Sequence, residues 1–387
     1  LVTGFTNMFG LGGAPLFSMA LGQGNREKAI DIQNTALRLL VLVGAGILLV
    51  GELLGDRILL LFGATTGELS LALPYLRIYL VGTIFIMVST GMNAYINAQG
   101  FPVIGMISVT IGAAANLILD PLFIFGLKLG VSGAAAATVL SQLLSFLFVV
   151  SFLFGKKNEL PVCFAWRFPY AGAIMSLGLA PFIMQVTNSL VQIACNSVLM
   201  QYGGAVFVSI MTIVSSVRSI LDVPVMAITD GASPSISYNY GAGRPQNVRK
   251  AIRVMMALAL PYTVVVWALV MAVPQIFVRI FSEDAAISEG ASRALHLYFC
   301  AFVFQSFQYS GQTVFKALNK KGNAIFFSLF RKVILVVPLT FLLPAAAGLG
   351  TDGVFIAEPI SNLIGGMACF VTMLLTVLPE LKRMAEK

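Results

Sequence analysis

Four acidic residues lie within long apolar stretches of the chain: Asp120, Asp222, Asp230 and Glu358. Asp120 belongs to the stretch NLILDPLFIFG, in which Asn116 precedes it by four residues and so shares its face of a helix. Pro121 follows directly and leaves the backbone carbonyl of Leu117 without its usual helical donor. A carboxylate, an amide and a free carbonyl provide oxygen ligands that suit a small hard cation or a proton. In the alternative interpretation, Asp120 caps a helix end or pairs with a neighbour.

The other three acids each allow a functional and a structural interpretation. Asp222 follows Arg218 by four residues, so the two side chains could form an ion pair within one helix, a gate or a coupling pair. Asp230 has no evident partner in the sequence and could face a substrate or pair with a residue from elsewhere. Glu358 occupies the position of Thr138 in the internal repeat described below, which leaves both interpretations open.

Amide side chains form a stripe along the segment 171–201. Gln185, Asn188, Gln192 and Asn196 are spaced so that they lie on one face of a helix. Such a stripe could hold neighbouring helices together by hydrogen bonds, or it could form the wall of a wet cavity.

The composition indicates an integral membrane protein. Of 387 residues, 58% are hydrophobic and 10% are charged, whereas soluble domains average about 45–50% apolar and about 25% charged residues. One histidine and four scattered cysteines leave no ligand set for zinc or haem and no disulfide framework. The sequence contains no phosphate-binding loop and no nucleophile beside a base. We therefore expect no enzyme and no cofactor, and any transport would be driven by an ion gradient.

The positions of polar, glycine and proline residues divide the chain into apolar segments long enough to cross a bilayer of roughly 30 Å. The eleven predicted spans are 1–21 (partial), 34–63, 68–98, 101–127, 131–154, 171–201, 205–240, 246–281, 285–318, 322–347 and 352–378. These runs are long and do not alternate, which excludes a β-barrel. The predicted fold class is an all-α polytopic membrane protein.

Basic residues are concentrated in alternate loops. The enriched loops and the C-terminal tail contain Arg26, Lys28, Lys156, Lys157, Arg167, Arg244, Arg249, Lys250, Arg253, Lys316, Lys320, Lys321, Lys382, Arg383 and Lys387. Because cytoplasmic loops carry the excess of lysine and arginine, this set and the C-terminus are predicted to be cytoplasmic. The net charge of +8 is thus interpreted as a topology signal, and no nucleic-acid partner is expected.

The chain contains an internal repeat. GGAPLFSMALGQGN from Gly12 matches GASPSISYNYGAGR from Gly231 at a separation of 219 residues, and later matches such as Gly133 with Gly353 are separated by 220. The repeat predicts two parallel bundles of six helices, with a helix and the start of the next expected before Leu1. The predicted domains are an N-terminal lobe (1–154), a linker (155–170), a C-terminal lobe (171–378) and a tail (379–387).

Three stretches resemble the multidrug and toxic compound extrusion (MATE) family, and in particular its MepA-like bacterial branch. They are NLILDPLFIFG at 116–126, GVSGAAAAT at 130–138 and GASPSISYNYGA at 231–242. The resemblance implies cation-coupled export of amphipathic, often cationic compounds from a bacterial cytoplasmic membrane, by a monomer that alternates access. It also implies a Na⁺ or proton site in the N-terminal lobe, and the matching positions are Asn116, Asp120, Thr138, Asn93 and Tyr75.

The sequence departs from the family pattern at several acids. The family's first-helix aspartate would lie before Leu1, the seventh helix has Gln185 and Gln192 but no glutamate, and the tenth has Gln308 but no aspartate. Coupling through the N-terminal lobe is therefore favoured, and the choice between Na⁺ and H⁺ stays open. The alternative function is a flippase of lipid-linked oligosaccharide precursors, which would need a basic cavity. The spans offer for it only Arg77, Arg218, Arg331 and Lys332. A third interpretation is a channel or a scaffold.

Overall fold

All regular secondary structure in the described part of the chain is helical. The computed structural model describes residues 2–61, 69–155, 158, 160–163, 167–281, 285–346 and 348–386. The α-helices are α1 (Val2–Gly22), α2 (Arg26–Leu61), α3 (Leu69–Val81), α4 (Thr83–Ala98), α5 (Pro102–Pro121), α6 (Gly130–Leu153), α7 (Ala171–Gly241), α8 (Pro245–Ala272), α9 (Pro274–Arg279), α10 (Ala285–Phe299), α11 (Phe304–Ala317), α12 (Lys321–Leu329), α13 (Val337–Ala346) and α14 (Thr351–Ala385). Two π-helical segments, Leu122–Gly126 and Phe330–Val336, follow α5 and α12. The all-α prediction is confirmed. Lys156, Lys157 and Lys387, used in the topology prediction, lie outside the described residues.

The helices are long and apolar because the chain supplies uninterrupted runs of Leu, Val, Ile, Phe and Ala. Within the described ranges, seven helices have the length and composition to cross a membrane, or eight if α3 and α4, bent by 45° at Gly82, form one span. Each of the eleven predicted spans falls on one or two helices. The span predicted at 246–281 is broken at Val273, because the residue before a proline is biased away from helical dihedral angles.

The 71-residue helix α7 contains two predicted spans. A helix of that length would extend roughly 105 Å, far more than the bilayer core of about 30 Å. Gly204 has non-helical backbone angles (φ 71°, ψ −168°) and divides α7 into two parts. Positive φ is accessible to glycine at little cost. The break lies between the predicted spans 171–201 and 205–240.

The internal repeat is visible in the backbone. Among the described residues, nine have positive φ, and eight of them form pairs at the repeat separation of 219 or 220 residues: Gly24 with Gly243, Gly100 with Asn319, Lys128 with Gly348, and Gly130 with Gly350. Left-handed residues end helices, and here the same helices end in the same way twice. The ninth residue is Gly204. The two halves of the chain therefore repeat their turns as well as their sequence.

The chain divides into two compact units, which are named here unit 1 (Leu1–Phe182) and unit 2 (Ile183–Lys387). Unit 1 contains the linker and the first twelve residues of α7 in addition to α1–α6, so its boundary lies beyond the lobe limits drawn from the sequence. The linker is attached to α2, where Asn34 Oδ1 accepts from the Cys163 amide at 2.9 Å. Arg38 of α2 donates to the carbonyl of Cys163 at 2.7 Å.

Each unit has its own apolar core. In unit 1, the fully buried Tyr95 of α4 donates its hydroxyl to the Phe9 carbonyl of α1 at 2.9 Å. Helix α1 also approaches α7 so closely that a Cβ atom on Gly178 would overlap the Met8 carbonyl. In unit 2, α7, α10 and α14 bury Val214, Phe299 and Phe355 against one another.

Candidate functional site

The first candidate site is on α5 in unit 1. The Asn116 amide nitrogen donates to Asp120 Oδ1 at 3.1 Å, one helical turn apart. Both side chains are half-buried. Directly after Pro121 the helix widens into the π-helical segment Leu122–Gly126, in which the Leu127 amide bonds to the Leu122 carbonyl at 2.8 Å. π-Helical turns are rare and occur frequently at functional sites.

A cavity of about 180 Å³ lies between α4, α5 and α6 beside this pair. Its walls are mainly hydroxyl and amide side chains. The lining residues are Ile86, Ser89, Thr90, Asn93, Ser108, Val109, Gly112, Asn116, Thr138, Ser141, Gln142 and Ser145. We refer to it as the α4–α6 cavity.

Hydrogen bonds within the wall leave oxygen atoms available to the cavity. The Asn93 amide nitrogen donates to the Gly105 carbonyl and to Ser108 Oγ, both at 2.9 Å. Ser145 donates to the Ser108 carbonyl at 2.8 Å. Gln142 Oε1 is buried and has no hydrogen-bond partner among the described residues. A buried acceptor without a donor is unfavourable unless a ligand or water satisfies it.

The donor set suits a monovalent hard cation or a proton better than a transition metal. Oxygen atoms of amides, hydroxyls and a single nearby carboxylate are hard ligands of low total charge. Within the described residues, no group of three His, Cys, Asp or Glu side chains could hold a metal ion. Asp120 is the acid that would balance the charge of a bound cation.

The structure brings together some of the N-terminal residues selected from the sequence. Asn93, Asn116 and Thr138 line the α4–α6 cavity, and Asp120 is connected to it through Asn116. Tyr75 is not among the lining residues and stacks on Tyr79 of the same helix, with ring centroids 6.1 Å apart.

Sequence reasoning missed several polar residues of the cavity wall. Ser108 on α5 and Ser141, Gln142 and Ser145 on α6 all line the cavity. A signal was present, because 138, 141, 142 and 145 have the spacing of one helical face. It went unused because hydroxyl groups in spans also bond to their own helix, as Thr138 does with the Ala134 carbonyl at 2.9 Å.

The second candidate site is a buried charge cluster in unit 2, formed by Arg218, Asp222, Arg331, Lys332 and Glu358. Glu358 Oε1 is 2.6 Å from an Arg218 nitrogen, 2.9 Å from an Arg331 nitrogen and 2.9 Å from Lys332 Nζ. Arg218 also pairs with Asp222 at 3.1 Å. Glu358 is only 2% exposed. Removing one partner from such a buried network is strongly destabilising.

Neighbouring side chains complete the cluster. Arg218 donates to the Tyr298 hydroxyl at 2.9 Å, and the Tyr309 hydroxyl donates to Asp222 at 3.4 Å. Arg331 also donates to the amide oxygens of Gln305 and Asn362. The cluster therefore connects α7, α10, α11, α14 and the π-helical segment Phe330–Val336.

The other residues selected in unit 2 lie outside this cluster. Asp230 pairs with Lys316 of α11 at 3.3 Å, a partner that its position in the sequence does not reveal. Gln192 donates to Asn196 at 3.2 Å and accepts from Ser215 at 3.3 Å, so it connects the two parts of α7. Asn188 is exposed and Gln185 half-buried.

The two candidate sites occupy equivalent positions of the repeat. At a separation of 219, Gly112 of the α4–α6 cavity corresponds to Arg331 of the cluster. At 220, Thr138 corresponds to Glu358. Unit 1 thus has an oxygen-lined cavity where unit 2 has tethered cations around a carboxylate.

These features define a class: a polytopic all-α membrane protein of two repeated halves, with an oxygen-lined cavity in one half and a buried ion cluster in the other. A family model, MatE, matches residues 1–122 and 181–342. The chain belongs to the MatE family, as its motifs predicted.

Curated relatives and solved structures agree with this assignment. The chain is 25% identical over 354 residues to the multidrug export protein MepA of Staphylococcus aureus strain MRSA252, covering 90% of this chain and 77% of that protein. It is 22% identical over 352 residues to MepA of Staphylococcus saprophyticus, with the same coverages. A crystal structure of MATE in the bent conformation matches with a TM-score of 0.92 at 22% identity, over 100% of this chain and 86% of that one. An outward-facing multidrug resistance MATE transporter of the MOP superfamily matches with a TM-score of 0.92 at 22% identity, over 99% and 85%.

Proposed function

We propose that the protein is a secondary antiporter that exports amphipathic, often cationic organic compounds in exchange for Na⁺ or H⁺. The observation that carries this proposal is the α4–α6 cavity beside the Asn116–Asp120 pair. The similarity to multidrug export proteins supports the class of substrate. The bilayer that holds the chain is the bacterial cytoplasmic membrane, with the C-terminus in the cytoplasm.

The proposed coupling depends on the charge of Asp120. Without a cation, the carboxylate relies on the Asn116 amide at 3.1 Å for stabilisation. A bound Na⁺ or proton neutralises it, and the oxygen atoms around the cavity then coordinate the cation or accept the proton's hydrogen bond. The ion drives export only if it binds one conformation more tightly than the other, and a hundredfold preference corresponds to about 2.7 kcal/mol.

The backbone beside Asp120 offers a place for the conformational response. Pro121 and the π-helical segment Leu122–Gly126 interrupt the regular hydrogen bonding of α5. Helices bend at prolines and at π-helical turns, where fewer regular hydrogen bonds oppose a change of direction. Neutralisation of Asp120 would be transmitted to the end of α5 at this point.

The alternative function, a flippase of lipid-linked oligosaccharide precursors, requires basic side chains that are free to bind pyrophosphate. Arg218, Arg331 and Lys332 are buried around Glu358 and already bonded to it. Arg77 pairs with Glu52 at 3.6 Å. These partners make the flippase the weaker of the two proposals.

The deciding experiment is efflux of a fluorescent organic cation from proteoliposomes containing the full chain, under separately imposed Na⁺ and pH gradients. We expect one gradient to drive efflux and Asp120→Asn to abolish it. Asp31→Asn, which removes an exposed acid of α2, is the matched control and should transport normally. Folded native protein that shows no gradient-driven efflux would contradict the antiporter proposal and favour the flippase.

A further inference from the structure

The buried charge cluster of unit 2 has an uneven number of charges. It contains three basic side chains, Arg218, Arg331 and Lys332, and two acidic ones, Asp222 and Glu358. In the described part of the chain, no other carboxylate forms an ion pair with any of them. With every group in its usual ionisation state, the cluster would hold one net positive charge in an apolar interior. Such a charge is unfavourable inside a membrane protein.

Only one member of the cluster can remove this excess. Arginine stays protonated in proteins, whereas lysine loses its proton readily when buried. Lys332 is 7% exposed, and its Nζ atom lies 2.9 Å from Glu358 Oε1. That same oxygen atom already accepts from Arg218 and Arg331. A neutral amine can still donate one hydrogen bond to Glu358, so the geometry does not need an ammonium group.

No acid from a neighbouring element compensates for Lys332 in the described structure. The titratable and charged groups that surround it are Cys195, Arg218 and Asp222 from α7, Tyr298 from α10, Tyr309 from α11, Arg331 from its own segment, and Glu358 and Cys369 from α14. Tyr298 and Tyr309 are engaged as hydroxyl groups by Arg218 and Asp222. Cys195 lies near Thr340, with 3.8 Å between sulfur and hydroxyl oxygen.

The backbone around Lys332 offers a route for proton exchange. Consecutive residues of an α-helix point roughly 100° apart, yet both Arg331 and Lys332 reach Glu358. The π-helical segment Phe330–Val336 permits this convergence. A return of the segment to α-helical geometry would move one of the two side chains away from Glu358, and the repeat position in unit 1 is an open cavity rather than a filled cluster.

We infer that Lys332 is a proton-exchange site of unit 2. In the packing described here its amine is uncharged. When the π-helical segment rearranges, the nitrogen lone pair takes a proton from water and the side chain becomes an ammonium ion; on return to the cluster it releases that proton to water. The inference is independent of which cation unit 1 binds.

The test is the pH dependence of the unfolding equilibrium of the full chain in mixed detergent and SDS micelles. The unfolded chain carries a protonated lysine below about pH 10, so folding with a neutral Lys332 releases one proton and stability rises with pH. Between pH 6 and 9, the native unfolding constant should fall by up to tenfold per pH unit relative to that of Lys332→Met. Lys332→Arg, which cannot become neutral, should be less stable than Lys332→Met throughout.

The matched control is Lys316→Met, which removes a lysine that pairs one-to-one with Asp230. It should keep the native pH dependence. The proposal is overturned if Lys332→Arg matches the native protein while Lys332→Met loses stability by the same factor at every pH, because Lys332 would then be a permanent cation. Should neither Lys332 variant fold, ¹⁵Nζ-lysine NMR of the native chain decides: a neutral amine resonance at pH 7 supports the proposal, and ammonium resonances alone overturn it.

Discussion

A single side-chain oxygen shows how a residue can be unfavourable for folding and useful for binding. Gln142 Oε1 is buried at the wall of the α4–α6 cavity, and none of the described residues donates to it. Burial of an acceptor without a donor costs about 1–3 kcal/mol. A coordinated cation or a water molecule would recover that energy. Gln142 is therefore where binding and stability are expected to have opposite requirements.

Gln142→Leu should weaken binding of the coupling cation about tenfold while leaving stability equal or higher. The substitution removes one oxygen from the cavity and also removes the unsatisfied acceptor. Titration of efflux against cation concentration and a thermal melt of the purified protein measure the two effects. Gln99→Leu is the control, because Gln99 bonds to Gln33 at 2.9 Å and does not line the cavity. Equal cation affinities in the two variants would contradict the assignment.

Glu358→Gln should lower the free energy of unfolding by about 3–5 kcal/mol, the usual effect of removing one partner from a buried ion pair. Three basic side chains bond to Glu358 Oε1, and a neutral amide would leave them without a counter-charge. Unfolding in SDS micelles measures the loss. The control is Glu380→Gln, which breaks a partly exposed pair with Lys320 at 2.5 Å and should cost about 1 kcal/mol or less. Similar losses in both variants would show that the cluster does not depend on Glu358.

The sequence predicts local contacts of the candidate sites better than distant ones. The pair Arg218–Asp222 follows from a spacing of four residues. Glu358 meets Arg218 only after the chain has folded over 140 positions, and Asp230 likewise meets Lys316. Such partners depend on which helices become neighbours, and the pattern of one helix carries no information about that.

At the scale of secondary-structure elements, α1 and α7 are held at a distance that only glycine permits. A Cβ atom on Gly12 would overlap the Gly178 backbone, and one on Gly178 would overlap the Met8 carbonyl. Small residues allow helix backbones to approach closely within membranes, where packing replaces the hydrophobic effect as the source of association. This contact fixes the beginning of α7 to unit 1.

Gly178→Ala should destabilise the protein by about 1–3 kcal/mol, because one added methyl group forces the two backbones apart. The matched control is Gly172→Ala on the same helix, where an added Cβ meets no atom within 4 Å. Because alanine favours helices more than glycine does, the control should be neutral or slightly stabilising. Thermal melts of both variants measure the difference. Equal melting temperatures would mean that α1 and α7 can separate without loss.

Helix existence could be predicted from the sequence more reliably than helix continuity. Apolar runs identified every long helix, and glycine at 203 and 204 marked the break in α7. Proline, in contrast, acts differently at two sites: α8 continues through Pro261 but ends before Pro274. The difference depends on packing and on the hydrogen bonds that neighbours can supply, and these are not visible in the local sequence.

At the scale of the whole molecule, the repeat predicts orientation. Both repeated turns after α1 and α7, at Gly24 and Gly243, are followed by basic residues. An even number of helices per half places the two turns on the same side of the membrane. The positive-inside rule makes that side, the linker and the C-terminus cytoplasmic.

A membrane-impermeant maleimide should therefore label Cys163 in inverted vesicles and not in intact cells. Cys163 is exposed and lies in the linker. Cys300 is exposed as well, so the experiment uses a Cys300→Ser background. Lys128→Cys, on the exposed turn between α5 and α6, is the opposite-side control and should be labelled in intact cells. The reverse pattern would contradict the predicted topology.

The repeat predicted the number of units but not where the first one ends. The sequence placed the boundary in the linker, because loops usually separate domains. In the structure the linker is bonded to α2 through Asn34 and Arg38, and Gly178 attaches the beginning of α7 to α1. These contacts pair residues more than a hundred positions apart, which a repeat of 219 residues does not indicate.

This placement has a mechanical consequence for α7. The helix begins in unit 1 and continues in unit 2, and Pro181 lies one residue before the end of unit 1. Proline donates no hydrogen bond, so the helix is weakest against bending at that residue. Any rocking of one unit would concentrate its strain at this joint, and the stiff shaft on either side would move as a lever. The duplicated halves are thus joined by a flexure rather than by a tether.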